Sequence, residues 1–417
     1  MPVCPRTVAL LLAHSAAALV VAAGLAAQVV RPLAPVVGPM PPAGDFFDAA
    51  YVATAHAYRT PVYAVGLLAI VVRLAVAGWA AWSAPGRRLV DRVVDCVGAQ
   101  RSARAAAAVV LAVVVATDIV LLPLTFWQGF VHEGAFGLRT QGLRGWSYDW
   151  LVARGPSWLA VGVVVLAGYA LARRLPRAWP AVGGVGLAVL GVVVAFVAPL
   201  VLEPLEFNLQ PLPEGPVRAE VETILARAGE TGTAILVADA SRRTTRQNAY
   251  VSGLGSTRRV VLYDTLVEAR PPAEVGLVLA HELGHDRHRD VPRLVLLGGA
   301  GTVVGAYVVA WMLRRGARRD QDGPTDPRAA AAVLAVTLLL SGPALPVQQL
   351  VSRRAEAAAD LASLDLTRDA ATYQAMQVAL TRSNLAEPLP PAWATALWGS
   401  HPPSLARLAM GLRWTYE

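Results

Sequence analysis

The chain has 417 residues, of which 55% are hydrophobic and only 16% charged, with a mean hydropathy of +0.47. Ordinary soluble domains carry about 25% charge, so a typical soluble enzyme is excluded. The net charge of +8 rests on arginine, since the sequence has no lysine; much of that arginine flanks apolar blocks, where anionic lipid headgroups are the expected partner, and no nucleic-acid-binding motif occurs.

Seven apolar blocks are long enough to cross a bilayer, over residues 7–30, 61–82, 104–126, 157–173, 179–202, 292–313 and 329–346. A spanning helix needs about 20 residues. The first block exceeds a signal-peptide core and reads as an anchor, although the Ala-rich stretch at 22–27 leaves cleavage open. Gly301 and Gly305 give the sixth span a small-residue face for close packing. Gly342-Pro343 and Pro346 interrupt the seventh, so a kink is expected there. Two cysteines, Cys4 and Cys96, make neither a disulfide framework nor a metal pair.

Two stretches have mixed polarity. In 203–291 the pattern predicts a helix near 217–229 and strands at Thr233–Ala238, Ala249–Leu254 and Arg258–Tyr263. A helix then opens after Pro271-Pro272 and runs to about Arg287. The second stretch, 347–417, reads as mainly helical, with loops at Pro388–Pro391 and Pro402-Pro403. The expected fold class is a mainly α integral membrane protein of about seven transmembrane helices with a small α+β domain. Its segments are 1–202 (five spans), 203–291 (catalytic), 292–346 (two spans) and 347–417 (C-terminal catalytic).

The segment that carries chemistry is His281-Glu282-Leu283-Gly284-His285. On a helix, positions i and i+4 share a face, so both imidazoles can reach one tetrahedral ion, and Glu282 can reach its water as general base. A catalytic zinc needs a third protein ligand. His288 lies about 4.5 Å further along the axis than His285, which makes closure on one ion hard. Asp290 is a further alternative. Glu356 is favoured: it sits in Ser352-Arg353-Arg354-Ala355-Glu356-Ala357-Ala358-Ala359-Asp360, where alanines permit a second helix to approach. Asp360 shares its face and is placed to accept the other N–H of a ligand histidine.

These residues resemble the type I CAAX prenyl endopeptidases, a family of membrane zinc proteases with seven spans. The family's metal motif matches His281, Glu282 and His285, and its third ligand matches Glu356 in the Ser-Arg-x-x-Glu-x-x-x-Asp pattern. Asn248-Ala249-Tyr250 with Arg259–Leu266 is similar to its strand pair, and Ser400-His401-Pro402-Pro403 through Leu408 to its closing motif. The resemblance implies a hollow helical chamber closed by the catalytic domain and one Zn2+ per chain. His401 is expected as a second oxyanion donor, or as a structural hydrogen bond at the Pro402-Pro403 turn. Asn248 is expected to contact substrate backbone by strand addition. Arg407 is expected to bind substrate, to pair with a carboxylate near the metal, or to be only a solvated helix residue. The arginine-only basic set suggests a GC-rich bacterial genome. Partners would be a peptide or protein substrate and membrane lipids, and the location a cell membrane, multi-pass. The side stays open: loop arginines put the catalytic parts outside, while the resemblance implies the reverse. Rival functions are a quality-control membrane protease without prenyl specificity and a non-enzymatic seven-helix transporter or scaffold.

Overall fold

The computed structural model describes residues 39–98, 102–201, 203–230, 233–253, 257–316 and 326–414. The expected anchor at 7–30 lies outside them, as does most of the Gly255-Ser256-Thr257 turn. The remaining chain builds a membrane-helical layer and a smaller α+β layer. In the first, α1 spans Ala49–Trp82, α2 Ala84–Cys96, α3 Ala103–Phe126, α4 Leu143–Arg174 and α5 Trp179–Val201. A π-helical stretch, Trp127–His132, continues α3.

The second layer opens with β1, Leu209–Pro211, and α6, Pro216–Arg227. Strands β2 (Ala234–Ala238), β3 (Ala249–Ser252) and β4 (Arg259–Tyr263) follow. The sheet order is β1-β2-β4-β3, with β2 and β4 parallel and the outer pairs antiparallel. That leaves β3 as an edge strand. Helix α7 covers Asp264–Ala269 and α8 Pro272–Arg287. Then come α9 (Asp290–Gly316), α10 (Ala330–Thr367), α11 (Ala370–Ser383), α12 (Ala392–Trp398) and α13 (Ser404–Arg413).

Among the described residues, five helices have the length and composition of a membrane span: Ala49–Trp82, Ala103–Ala135, Leu143–Arg174, Asp290–Met312 and Pro327–Thr367. Helix α5 has a shorter apolar stretch at Trp179–Val194. The last expected span belongs to a longer helix. Pro343 and Pro346 lie inside α10, which is 38 residues long in all. At 1.5 Å per residue that is about 57 Å, against roughly 30 Å of hydrocarbon core, so one helix both crosses the membrane layer and enters the α+β one.

The small-residue packing face is not where it was expected. A Cβ added at Gly301 or Gly305 would meet open space, whereas one at Gly299 would meet Ala188 at 2.7 Å and one at Gly184 would meet Val303 at 2.7 Å. Those two glycines seat α9 against α5.

Helix α8 begins with proline at its first position, where the missing N–H costs nothing. From Val275 to Ala280 it is apolar on every side and buried: Val275, Leu277, Leu279 and Ala280 pack with Ile224, Val260, Leu262, Tyr373 and Met376. Burying one such leucine is worth about 1.5–3 kcal/mol. This core anchors α8 rigidly under its polar second half.

Candidate metal centre

His281 and His285 project from the same face of α8, their rings 4.8 Å apart and perpendicular. Facing them on α10 is Glu356. Its Oε2 lies 3.2 Å from His281 Nε2, and its Oε1 lies 3.5 Å from His285 Nε2. One donor atom from each residue falls within 4.8 Å of the others. Zinc–ligand bonds of about 2.0–2.1 Å in a tetrahedron give ligand–ligand edges of about 3.3–3.4 Å. The two nitrogen–oxygen separations bracket that edge.

The helices approach through their smallest residues. A Cβ on Gly284 would stand 2.9 Å from Ala359 Cα and 3.0 Å from Ala359 O. Ala359 is fully buried. Glycine and alanine at this crossing bring the backbones together, and with them the short glutamate and the imidazoles.

Outer partners orient both rings. His281 Nδ1 is 3.0 Å from Asp360 Oδ1, and His285 Nδ1 is 2.9 Å from Asp290 Oδ2. Asp360 is fully buried, and the Arg407 guanidinium grips it through both oxygens, Nε at 2.7 Å from Oδ2 and Nη2 on Oδ1. Arg407 thus pairs with a carboxylate beside the centre. Asp290 reaches His285 because Arg289 adopts a left-handed conformation, φ 54°, that folds the chain back between α8 and α9. A non-glycine residue there is uncommon. His288 turns away, its Nδ1 2.8 Å from Gly284 O. Neither alternative third ligand joins the cluster.

The donor set fits a cation. Glu356 Oε2 is buried without an aligned hydrogen bond, though two imidazole nitrogens stand close to it. Burial alone would push the His281 imidazole down, but the flanking Asp360 and Glu356 carboxylates outweigh it and lift it to about 10. The cradle therefore favours positive charge between its donors. Burial likewise lifts the Glu282 carboxyl above its ordinary range, against the pull of His281 and His285.

His401 enters from the loop before α13. Its Nε2 is 3.1 Å from Glu356 Oε2 and its Nδ1 is 2.9 Å from Ser400 Oγ. Asn248, exposed at the start of β3, accepts Tyr263 N–H through its carbonyl at 3.0 Å. Just upstream, Arg246 ties the chain to the membrane layer through Glu133, at 3.0 Å, and to Asn384 O, at 2.9 Å. The remaining described histidines serve elsewhere: His56 contacts Glu387, and buried His132 stacks on Tyr58.

Sequence reasoning missed Asp290 as the partner of His285 and did not single out Arg353. Spacing pointed to Asp290, but only the left-handed turn at Arg289 gives the spacing that meaning.

Comparison with known proteins agrees with this architecture. Residues 211–414 match peptidase family M48, and residues 41–208 match the CAAX prenyl protease N-terminal domain, described as five membrane helices. The chain is 27% identical over 303 residues to the metalloprotease YhfN of Bacillus subtilis, covering 70% of each. It is 28% identical over 181 residues to CAAX prenyl protease 1 of Saccharomyces cerevisiae, covering 43% of this chain and 40% of that one. The match thus spans less than half of the yeast relative. The crystal structure of S. mikatae Ste24p superposes with a TM-score of 0.79 at 20% identity, covering 98% of this chain and all of the other, a likeness of fold. The chain belongs to peptidase family M48 in its CAAX prenyl protease branch, whose members are zinc metalloproteases, and is a multi-pass membrane metalloendopeptidase.

Proposed function

We propose that the chain is a zinc endopeptidase of the cell membrane that hydrolyses peptide bonds of membrane-associated or lipidated proteins. One ion per chain would be held by His281, His285 and Glu356. The observation that carries this reading is the approach of two helices, distant in sequence, that sets two imidazole nitrogens 3.2 and 3.5 Å from one carboxylate. Zinc there supplies a Lewis acid that polarises a carbonyl and acidifies water to a pKa of about 7.

Glu282 takes the proton as water attacks the scissile carbonyl and returns it to the leaving amine. Burial, by raising its affinity for that proton, suits both halves of the task. His401 Nε2 faces the same space and donates to the carbonyl oxygen as charge develops. The free edge of β3 receives an extended peptide by strand addition, with Asn248 on its backbone. Asp360 and Asp290 hold the ligand rings, and Arg407 holds Asp360.

On this reading residues 203–291 and 347–417 together form the catalytic unit, and the helices before and between them form its membrane wall. Membrane lipids surround that wall. Glu282→Gln should abolish cleavage of an internally quenched peptide, by about 100-fold or more, while zinc content is kept; undiminished turnover refutes the assigned base. Glu356→Ala should lose zinc; full occupancy refutes the third ligand. Comparing a farnesylated peptide with its unmodified twin separates a prenyl-specific enzyme from a broader membrane protease.

A further inference from the structure

Arg353 lies on α10, three residues before Glu356 and on the same side of the helix. Its Nη1 donates to two carbonyls at the end of α12, Thr395 O and Gly399 O, each at 2.7 Å. Both hydrogen bonds thus end on backbone oxygens. A charged donor makes a bond about twice as strong as a neutral one; Thr395 O also accepts the Gly399 N–H at 3.0 Å, so the guanidinium adds to the closing turn of α12. Gly399 suits the tight exit: a Cβ there would meet Thr395 O at 2.7 Å.

Two residues beyond Gly399 comes His401. Its Nδ1 is engaged by Ser400 Oγ at 2.9 Å, which turns Nε2 toward Glu356 Oε2 at 3.1 Å. Helix α12 is also fixed on its far side. Trp398 stacks on Tyr63 of α1, rings 6.0 Å apart and nearly parallel, and a Cβ on Gly66 would stand 2.9 Å from it. The segment that carries His401 is therefore held by aromatic packing on the membrane side and by Arg353 on the side of the metal centre.

We infer that Arg353 is a positioning residue that sets His401 over the Glu356 carboxylate, so that one helix places both a metal ligand and the histidine facing it. The inference deepens the proposed function and rests on the reading of His401 as donor to the developing oxyanion.

The test uses full-length protein in detergent, with Arg353→Met, Arg353→Lys, His401→Ala and the double variant R353M/H401A. Zinc content, kcat and KM on an internally quenched peptide, and affinity for a phosphoramidate dipeptide as tetrahedral mimic are measured for each. Hydrogen–deuterium exchange of residues 395–403 is the readout independent of activity. H401A should lose about 100-fold in kcat, as removal of an oxyanion donor does, and R353M about 10-fold, with zinc and KM unchanged. The double variant should be no slower than H401A, phosphoramidate affinity should fall in step with kcat, and R353K, which can still reach both carbonyls, should recover most of the loss. Exchange over 395–403 should rise in R353M but not in H401A. Losses that multiply in the double variant, zinc loss in R353M, or wild-type exchange in R353M overturn the inference. Wild-type turnover of H401A sinks the oxyanion reading and the positioning role with it, whereas an impaired H401A beside a wild-type R353M sinks the positioning role alone.

Discussion

Asp360→Asn separates the two jobs of the buried carboxylate. Asp360 has no solvent exposure, stands 3.0 Å from His281 Nδ1, and accepts from the Arg407 guanidinium through both oxygens. An asparagine keeps the shape but not the charge. The Arg407 side chain, 14% exposed, is then left without its counter-ion. Breaking a buried pair in this way costs about 3–5 kcal/mol. His281 also loses its anionic acceptor, because the one amide oxygen carries no charge and is contested by Arg407, a loss beside the metal ligands that weakens metal binding by about 10–100-fold. At about 1.4 kcal/mol per tenfold, that is about 1.4–2.8 kcal/mol of metal affinity. Arg407→Met provides the contrast: it also leaves a buried charge alone, but the Asp360–His281 contact survives. Stability should fall in both variants, read as the half-life of thermal inactivation, because membrane proteins of this size seldom unfold reversibly. Zinc affinity, read by competition with a chromophoric chelator, should fall only in Asp360→Asn. If that variant binds zinc within about threefold of wild type, or Arg407→Met loses zinc equally, the orienting role is refuted.

Gly284→Leu should lose zinc without touching a ligand, because the added side chain must displace the Ala359 backbone that a Cβ already meets at 2.9 Å; elemental analysis of the purified variant checks this. Asp369→Ala removes the cap of α11, where the carboxylate accepts Thr372 N at 2.9 Å and Thr372 Oγ at 2.6 Å, and should cost about 1 kcal/mol. Those hydrogen bonds lower the Asp369 pKa from 3.8, so the contribution is complete above 3.8 and fades as pH falls through the lower folded value; the gap in melting temperature between variant and wild type should close only in acid. One alanine inserted after Val347 turns the rest of α10 by about 100° relative to its membrane half, and should abolish zinc binding or assembly; a zinc-loaded, active insertion variant would show that the helix is not a rigid unit.

The parts of the site that were legible in the sequence are those with a short-range signature. His281 and His285 at i,i+4, a proline-started helix and alternating strand residues are all local, and α8, β2, β3 and β4 lie within one or two residues of their expected bounds, the expected end of β3 at Leu254 falling outside the described residues. The alanines around Glu356 signalled a close helix contact because small residues have few other uses in a row. What escaped had no local signature. Strand β1, three residues long, exists only because β2 offers an edge to pair with. Helix α10 runs through Pro343 and Pro346 although each removes a backbone donor, because the helix is held by neighbours on both sides of the break. Among the described residues, Gly299 and Gly184 are contact points and Gly301 and Gly305 are not, a difference set by helix rotation that spacing alone does not reveal.

Helix α10 explains how membrane and metal centre are joined. Arg353, Glu356 and Asp360 lie at i, i+3 and i+7, on one face of a helix that begins in the membrane layer. Each reaches a different element: Arg353 the end of α12, Glu356 the histidines of α8, Asp360 the guanidinium of α13. The histidines belong to α8 in the α+β core, whereas the carboxylate beside them sits on the distal half of α10, a helix rooted in the bundle. A cation bound between them must therefore stabilise the docking of one layer on the other by the same free energy with which docking improves its binding. Reduced affinity should then accompany any change that loosens the layers, even one as remote as the Arg246–Glu133 tether.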